Sequence, residues 1–561
     1  MINDKANQMK KQVLYVLGVC LVSCVFSACT QAQGSAAGYV AAAPSQVIPA
    51  LRFHPESGTD GSLTLPTGEV IKYKAYEKIF YVTNVEDSAY QSLNIYVPEQ
   101  SAGAQAGVPV FLRTYVGGYM ASAANTPSAT DATGRALKEG YVVCIPGARG
   151  SNSTVKNAAG ETVYTGRTPG GLVDLKAAIR YLKYNDDLIP GDSRLIITDG
   201  TSAGGAMSSL LGATGNNPAY DKYLEAMGAA PATDDVYAAV CYCPITDLDH
   251  ADMAYEWLYG FLNNQRGLTE AQKKVSEELA AAYPAYINSL GLKKADGTAI
   301  TADNYMDYLK SFLITSLQRA KDEGVDLPDN LGVKYNEVAA RGFGGGMPGR
   351  GQGGPQGPQG QGGPQGQGPQ GANNRQAPSF GPGGTVQFQQ ARQGDFVIDL
   401  DMPTYLTYVA NATKLKNPPA FDQKDVEGGS ASPENNVFGD ATGSSVNFTA
   451  YSLQKATGSS EIDPALAERV RIYNPMNFIG DGVSQTAPHW YLRHGGRDRD
   501  TSFPVPVNLY TKLVNNGYDV DFALPYNRPH SGDYNLNDLF RWIEQVVKEA
   551  NFSARPVYSL L

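Results

Sequence analysis

Gly200-Thr201-Ser202-Ala203-Gly204 has the G-x-S-x-G spacing of a nucleophile elbow. Its small residues permit a sharp strand-to-helix turn that lifts the serine hydroxyl clear of a sheet. That hydroxyl needs a base to take its proton, and the base needs an acid to orient it. Five histidines are available: His54, His250, His489, His494 and His530. With such an elbow the chain order is serine, acid, histidine. His530 lies in Asn527-Arg528-Pro529-His530-Ser531-Gly532, a loop after the last predicted strand, and is the base this order selects. His494 ends the preceding strand and reads better as a packed, hydrogen-bonded histidine. His250 reads as a brace at the start of an insertion, while His54 and His489 have no helpful context. The acid should follow the penultimate strand, where His494-Gly495-Gly496-Arg497-Asp498-Arg499-Asp500 offers two carboxylates. Asp498, nearer the strand, is expected to hold the imidazole, which leaves Asp500 for substrate. The competing reading makes either one a turn carboxylate paired with Arg497 or Arg499. An oxyanion needs two N–H donors. Ala203, opening a helix with its positive dipole end, supplies one, and Gly117-Gly118 in Tyr115-Val116-Gly117-Gly118-Tyr119 supplies the other.

Short apolar strands must carry these groups. Strands are predicted over 78–85, 92–97, 109–115, 140–146, 194–198 and 237–243, with helices over 171–184 and 203–211. From 247 to 472 the rhythm gives way to helices, turns and irregular segments. It then resumes with a strand over 490–494, a helix over 504–515, a strand over 519–524 and a helix over 535–550. This alternation predicts a mostly parallel, doubly wound α/β sheet, the α/β-hydrolase fold. The core is expected in two parts, 49–246 and 473–561, around a lid-like insertion at 247–472.

The chain has 561 residues, 45 Lys+Arg against 55 Asp+Glu and a net charge of −10, which argues against capture of nucleic-acid backbones. Apolar residues make up 42%, enough for a sizeable core. Many of the 61 glycines fall in 342–384, a Gly/Pro/Gln tract without a strict triplet period, so collagen is excluded and disorder expected. Lys10 and Lys11 precede an apolar run over 13–26, followed by Ser27-Ala28-Cys29. That run is too short to span a bilayer and reads as a secretory signal over 1–28. A cysteine right after the small residues resembles a bacterial lipobox, which implies lipidation at Cys29, with Cys24 as the alternative. Residues 29–48 then form a flexible tether. Export to the cell envelope follows, with membrane contact through the lipid anchor only. Cys144, Cys241 and Cys243 are expected to be buried thiols, with Cys241 and Cys243 on one strand face. No metal or cofactor is expected.

GTSAGGAMSSLLGATGN, DLDHADMAYEW, SPENNVFGD, RHGGRDRDTS and PHSGDY, in this order, resemble the bacterial tannases that hydrolyse galloyl esters. The resemblance covers the core and much of the insertion. It implies a Ser202–Asp498–His530 triad. It also implies that Lys416 (or its neighbour Lys414), Glu434 and Asp500 contact the phenolic hydroxyls of a galloyl ring. Fungal tannases and related feruloyl esterases flank the serine and histidine with cysteines, where this chain has Thr201 and Ser531. The implied partners are small galloyl or phenolic esters. A broader phenolic or carboxylic esterase and a surface binding lipoprotein on an inactive hydrolase fold are the alternatives.

Overall fold

Strands without a polar face must be covered on both sides. Val142–Pro146 and Ala238–Tyr242 are buried at every position. In a computed structural model describing residues 46–104, 106–336 and 396–553, such strands form the middle of a nine-stranded sheet. The signal peptide, Cys24, Cys29, most of the tether and the 342–384 tract lie outside these residues. The strands are β1 (Thr59–Thr64), β2 (Val70–Phe80), β3 (Ser92–Pro98), β4 (Pro109–Arg113), β5 (Val142–Pro146), β6 (Thr154–Lys156), β7 (Thr162–Tyr164), β8 (Asp192–Thr201), β9 (Ala238–Tyr242), β10 (Val333–Asn336), β11 (Phe396–Leu400), β12 (His489–Arg493) and β13 (Asp519–Ala523). The main sheet runs β1-β2-β3-β5-β4-β8-β9-β12-β13, and β6-β7 and β10-β11 form two small separate pairs. From β5 to β13 every neighbour is parallel, whereas β1, β2 and β3 join antiparallel at one edge. This is the α/β-hydrolase fold expected from the strand and helix alternation.

Successive side chains of a strand face opposite layers. Val110 and Leu112 thus join one core, with helices Gly170–Tyr184, Ala203–Ala213 and Pro504–Asn515. Phe111 faces the other, under helices Ala132–Lys138 and Leu536–Ser553. The first core runs on without a break into residues of the 247–472 segment, including Leu248, Tyr283, Leu309 and Phe421. No helix of the described residues is long and apolar enough to cross a membrane.

Some elements differ from expectation. The strand expected over 78–85 lies earlier, in β2, which bulges between Tyr76 and Ile79 and is over by Phe80. Its partner β1 is half-exposed and made of Thr, Asp, Gly and Ser around a single Leu, so it carries no apolar alternation to detect. Cys243 does not share a strand face with Cys241: it lies past the end of β9 with φ +44°. All three described cysteines are buried and free.

Candidate active site

The parallel strands end on one edge of the sheet, and four of them supply the site from there. Ser202 follows β8 directly and precedes the Ala203–Ala213 helix, with φ 62° and ψ −124°. A serine at positive φ is strained backbone, as a nucleophile elbow requires. The turn is held by Ser202 N–H donating to Tyr242 O at 2.9 Å and Ala206 N–H to Ser202 O at 2.9 Å. At Gly204 a side chain would meet Val116 O at 2.8 Å, so the elbow can lie this close to the loop after β4 only with glycine there.

That loop carries Gly117 and Gly118. Tyr119 (φ +56°) fixes it, donating its hydroxyl to Ile245 O at 2.6 Å, while Ser151 N–H donates to Tyr119 O at 2.8 Å. Among the described residues no hydrogen bond takes up the N–H of Ala203, Gly117 or Gly118. The three amides the sequence nominated for an oxyanion are thus unengaged.

The acid and histidine loops, after β12 and β13, are joined through their backbones. His494 N–H donates to Ala523 O at 3.2 Å, Gly496 N–H to Pro525 O at 2.8 Å and Arg497 N–H to Arg528 O at 2.9 Å. His530 Nδ1 donates to Asp498 Oδ2 at 2.7 Å, and Asp500 N–H to Asp498 Oδ1 at 2.8 Å. Burial opposes ionisation of Asp498, but His494 and His530 outweigh it and hold the carboxyl at about 2. An ionised Asp498 keeps the imidazole proton on Nδ1 and leaves Nε2 as the basic nitrogen. The histidine loop in turn rests on the elbow. A side chain at Gly532 would sit 1.9 Å from Thr201 Oγ1, and Cys243 Sγ approaches Ser531 O at 3.3 Å.

Lys416 and Asp500 act electrostatically on both Glu434 and His530. Burial raises the Glu434 carboxyl, Lys416 pulls it down and Asp500 pushes it up. For His530, burial opposes the charged form, while Asp498 and then Asp500 favour it against Lys416; the net shift is upward. The Lys416 ammonium lies 4.0 Å from the centre of the Phe421 ring, whereas Lys414 is exposed. Asp500 also pairs with Arg499 at 3.3 Å, the turn pairing foreseen for these carboxylates.

His494 is packed as expected, but it is not satisfied. It is fully buried, its Nδ1 is 3.6 Å from Asp498 Oδ2, and among the described residues neither ring nitrogen has a hydrogen-bond partner of good geometry. Its closest charged neighbour is already engaged by His530, which explains why the pairing stays long. His250 is a brace: it bonds Asp247 at 2.9 Å, stacks on Tyr286 at 3.7 Å, and the two nearby aspartates outweigh burial to raise it to about 10. His54 pairs with Glu56 on the surface and His489 with Asp519.

Sequence reading missed the groups that hold Lys416, Glu434 and the Asp498–Asp500 turn. From the Leu248–Tyr259 helix, Tyr255 donates to Arg499 O at 2.8 Å and accepts from Lys416 N–H at 3.0 Å, while Tyr259 donates to Asp498 O at 3.2 Å. Buried Asp422 accepts from Asn435 Nδ2 at 2.6 Å, Asn447 Nδ2 at 2.9 Å and Thr449 N–H at 2.8 Å, fixing the turn beside Glu434. Tyr255 in DLDHADMAYEW and Tyr259 just past its end stand at helical i, i+4 spacing, the one available signal.

The tannin acyl hydrolase of Lactobacillus plantarum superposes with a TM-score of 0.71 at 35% identity, over 89% of this chain and 99% of that one. The tannase of Fusobacterium nucleatum gives 0.71 at 31%, with the same coverage. The chain belongs to the bacterial tannase family. As a bacterial tannase it is a carboxylic ester hydrolase of the tannin and gallate ester class. The BD-FAE family model matches residues 93–287, which carry the elbow and the loop after β4. Esterase LipC of Mycobacterium tuberculosis is 43% identical over 54 residues, and that match spans 10% of this tannase and 13% of the esterase.

Proposed function

We propose that this tannase cleaves galloyl esters by a two-step acyl transfer on Ser202. Ser202 Oγ attacks the ester carbonyl carbon as His530 Nε2 takes its proton, and the same nitrogen returns the proton to the leaving alcohol. Ala203 and Gly117-Gly118 N–H groups stabilise the tetrahedral oxyanion. Water, deprotonated by His530, then releases gallate from the acyl-enzyme. Lys416, Glu434 and Asp500 read the three adjacent ring hydroxyls, and a substrate lacking them would leave buried charges unpaired. Residues 247–472 would supply this recognition half, while 49–246 and 473–561 supply the catalytic half.

One observation carries the reading: a 2.7 Å His530–Asp498 pair on a loop that rests on the strained Ser202 elbow. A tannin acyl hydrolase solved with ethyl gallate, and one with 3,4-dihydroxybenzoate, support the ligand class. The test is turnover of methyl gallate, with product identification, by the mature protein and by Ser202→Ala. Full activity in the variant would remove Ser202 from the mechanism. Methyl ferulate and an aliphatic ester in the same panel separate galloyl selectivity from broad esterase activity. Nothing in the fold or its relatives favours the inactive binding lipoprotein. Export and anchoring at Cys29 rest on the amino-terminal sequence; incorporation of labelled palmitate, lost in Cys29→Ala, tests them.

A further inference from the structure

Arg113 ends β4, directly opposite Asp199 in the parallel ladder with β8. Its guanidinium is nearly buried and bonds Asp199 Oδ2 through one terminal nitrogen. The same nitrogen reaches Asp533 Oδ1 at 3.0 Å and the other reaches Asp533 Oδ2 at 2.9 Å, across 420 positions of sequence. Asp199 stands three residues before Ser202, and Asp533 stands three residues after His530. Tyr115 supports the fork from beneath, its ring 5.3 Å from the guanidinium carbon and its hydroxyl donating to Asp131 at 2.6 Å.

A guanidinium shared by two carboxylates is a costly way to hold a fold together. Desolvation of such groups consumes most of what their attraction returns, and apolar packing would stabilise as well. Planar, two-pronged geometry instead fixes position and orientation. Here both prongs grip Asp533 and one of them also holds Asp199 in β8, which ties the strand that ends in the Ser202 elbow to the loop that carries His530. Elsewhere the histidine loop meets the elbow by close packing, Gly532 against Thr201, and the end of β9 through Ser531 on Cys243 and Tyr534 on Tyr242, none of which fixes orientation as a planar ion pair does.

We propose that Arg113 is a positioning residue for the reaction, setting the Ser202–His530 separation by holding Asp199 and Asp533 in a single fork. The inference rests on the Ser202–His530 reading above. It carries no role in galloyl recognition, because Lys416, Glu434 and Asp500 lie on other segments.

The test is Asp533→Asn in the full mature chain, chosen because Asp533 is partly exposed and Arg113 keeps Asp199. Misplacing a reacting group by about 1 Å costs up to about 100-fold, so we expect kcat for methyl gallate to fall at least about tenfold. KM should stay within about twofold, since substrate contacts are untouched. A fluorophosphonate probe, which needs the serine and histidine but no galloyl contact, should label Ser202 more slowly by a like factor. Arg113→Lys, a point charge unable to fork, should behave the same way. Rates are taken per folded molecule, with circular dichroism and active-site titration setting that fraction. Wild-type labelling in folded Asp533→Asn would overturn the proposal, as would an effect on KM alone or a rate loss matching the unfolded fraction. Ser202→Ala separates the two failures. Turnover retained there removes the triad reading. An inactive Ser202→Ala beside a wild-type Asp533→Asn removes only the clamp.

Discussion

His530 must be neutral to accept the Ser202 proton, and its neighbours favour the charged form. Burial alone would lower its pKa, but the Asp498 hydrogen bond and charge, helped by Asp500 and opposed by Lys416, raise it above the ordinary 6.5. As pH falls through that raised value the base gains a second proton and activity is lost. The acid limb of fluorophosphonate labelling is therefore expected above pH 6.5. Asp500→Asn should move it down, and Lys416→Met should move it up. Labelling is the right readout, because methyl gallate would confound base strength with recognition. Shifts in the same direction, or none, would show that these charges do not face the base. Asp498, held at about 2, stays ionised throughout this range. Asp498→Asn exchanges an acceptor for a donor and turns the imidazole to the wrong tautomer. Its kcat should fall about 10⁴-fold with the fold intact by circular dichroism.

At the scale of elements, the Leu248–Tyr259 helix joins the Lys416 segment to the Asp498 loop. Tyr255 connects the Lys416 backbone to the carbonyl beside Asp500, and Tyr259 holds the carbonyl of Asp498. Tyr255→Phe leaves a buried N–H and a carbonyl without their partner, costing about 1–3 kcal/mol. The looser Lys416 loop should raise KM for methyl gallate more than it slows fluorophosphonate labelling. Equal effects on both would place Tyr255 in general stability instead. The contrast between elements explains what could be read in advance. Pro504–Asn515 emerges with its observed bounds, because apolar spacing and terminal residues define a helix locally. The places of Ser202, Asp498 and His530, each just past a strand, were legible because the strands alternate with helices in a regular order. Lys416 and Glu434 were reached only through a family resemblance. Glu434 is placed by Asp422 collecting donors from Asn435, Asn447 and Thr449, and Lys416 by its N–H on Tyr255, polar contacts with no period to detect. Arg113 was missed for a related reason: its partners, at 199 and 533, are distant in sequence and meet only when the sheet forms.

Over the whole molecule, the sheet gathers four loops at one edge, and its core is continuous with the 247–472 segment that carries Lys416 and Glu434. β10 and β11 pair antiparallel, and Asn336 lies opposite Phe396, so residues 337–395 are spanned by a closed ladder end. A hairpin there needs only a short turn of the Asn-Gly kind. Replacing 337–395 by such a turn shortens the stretch of chain that folding must close, worth about 3 kcal/mol by the logarithmic dependence on length. Neither the triad loops nor Lys416, Glu434 and Asp500 belong to the replaced stretch. The shortened tannase should therefore melt at the same temperature or up to about 3 °C higher, with methyl gallate kcat/KM within about twofold. Thermal unfolding and the ester assay on one preparation decide it. A lower Tm would mean that the stretch packs on the body. A fall in kcat/KM beyond about tenfold, with Tm unchanged, would mean that it serves the reaction itself.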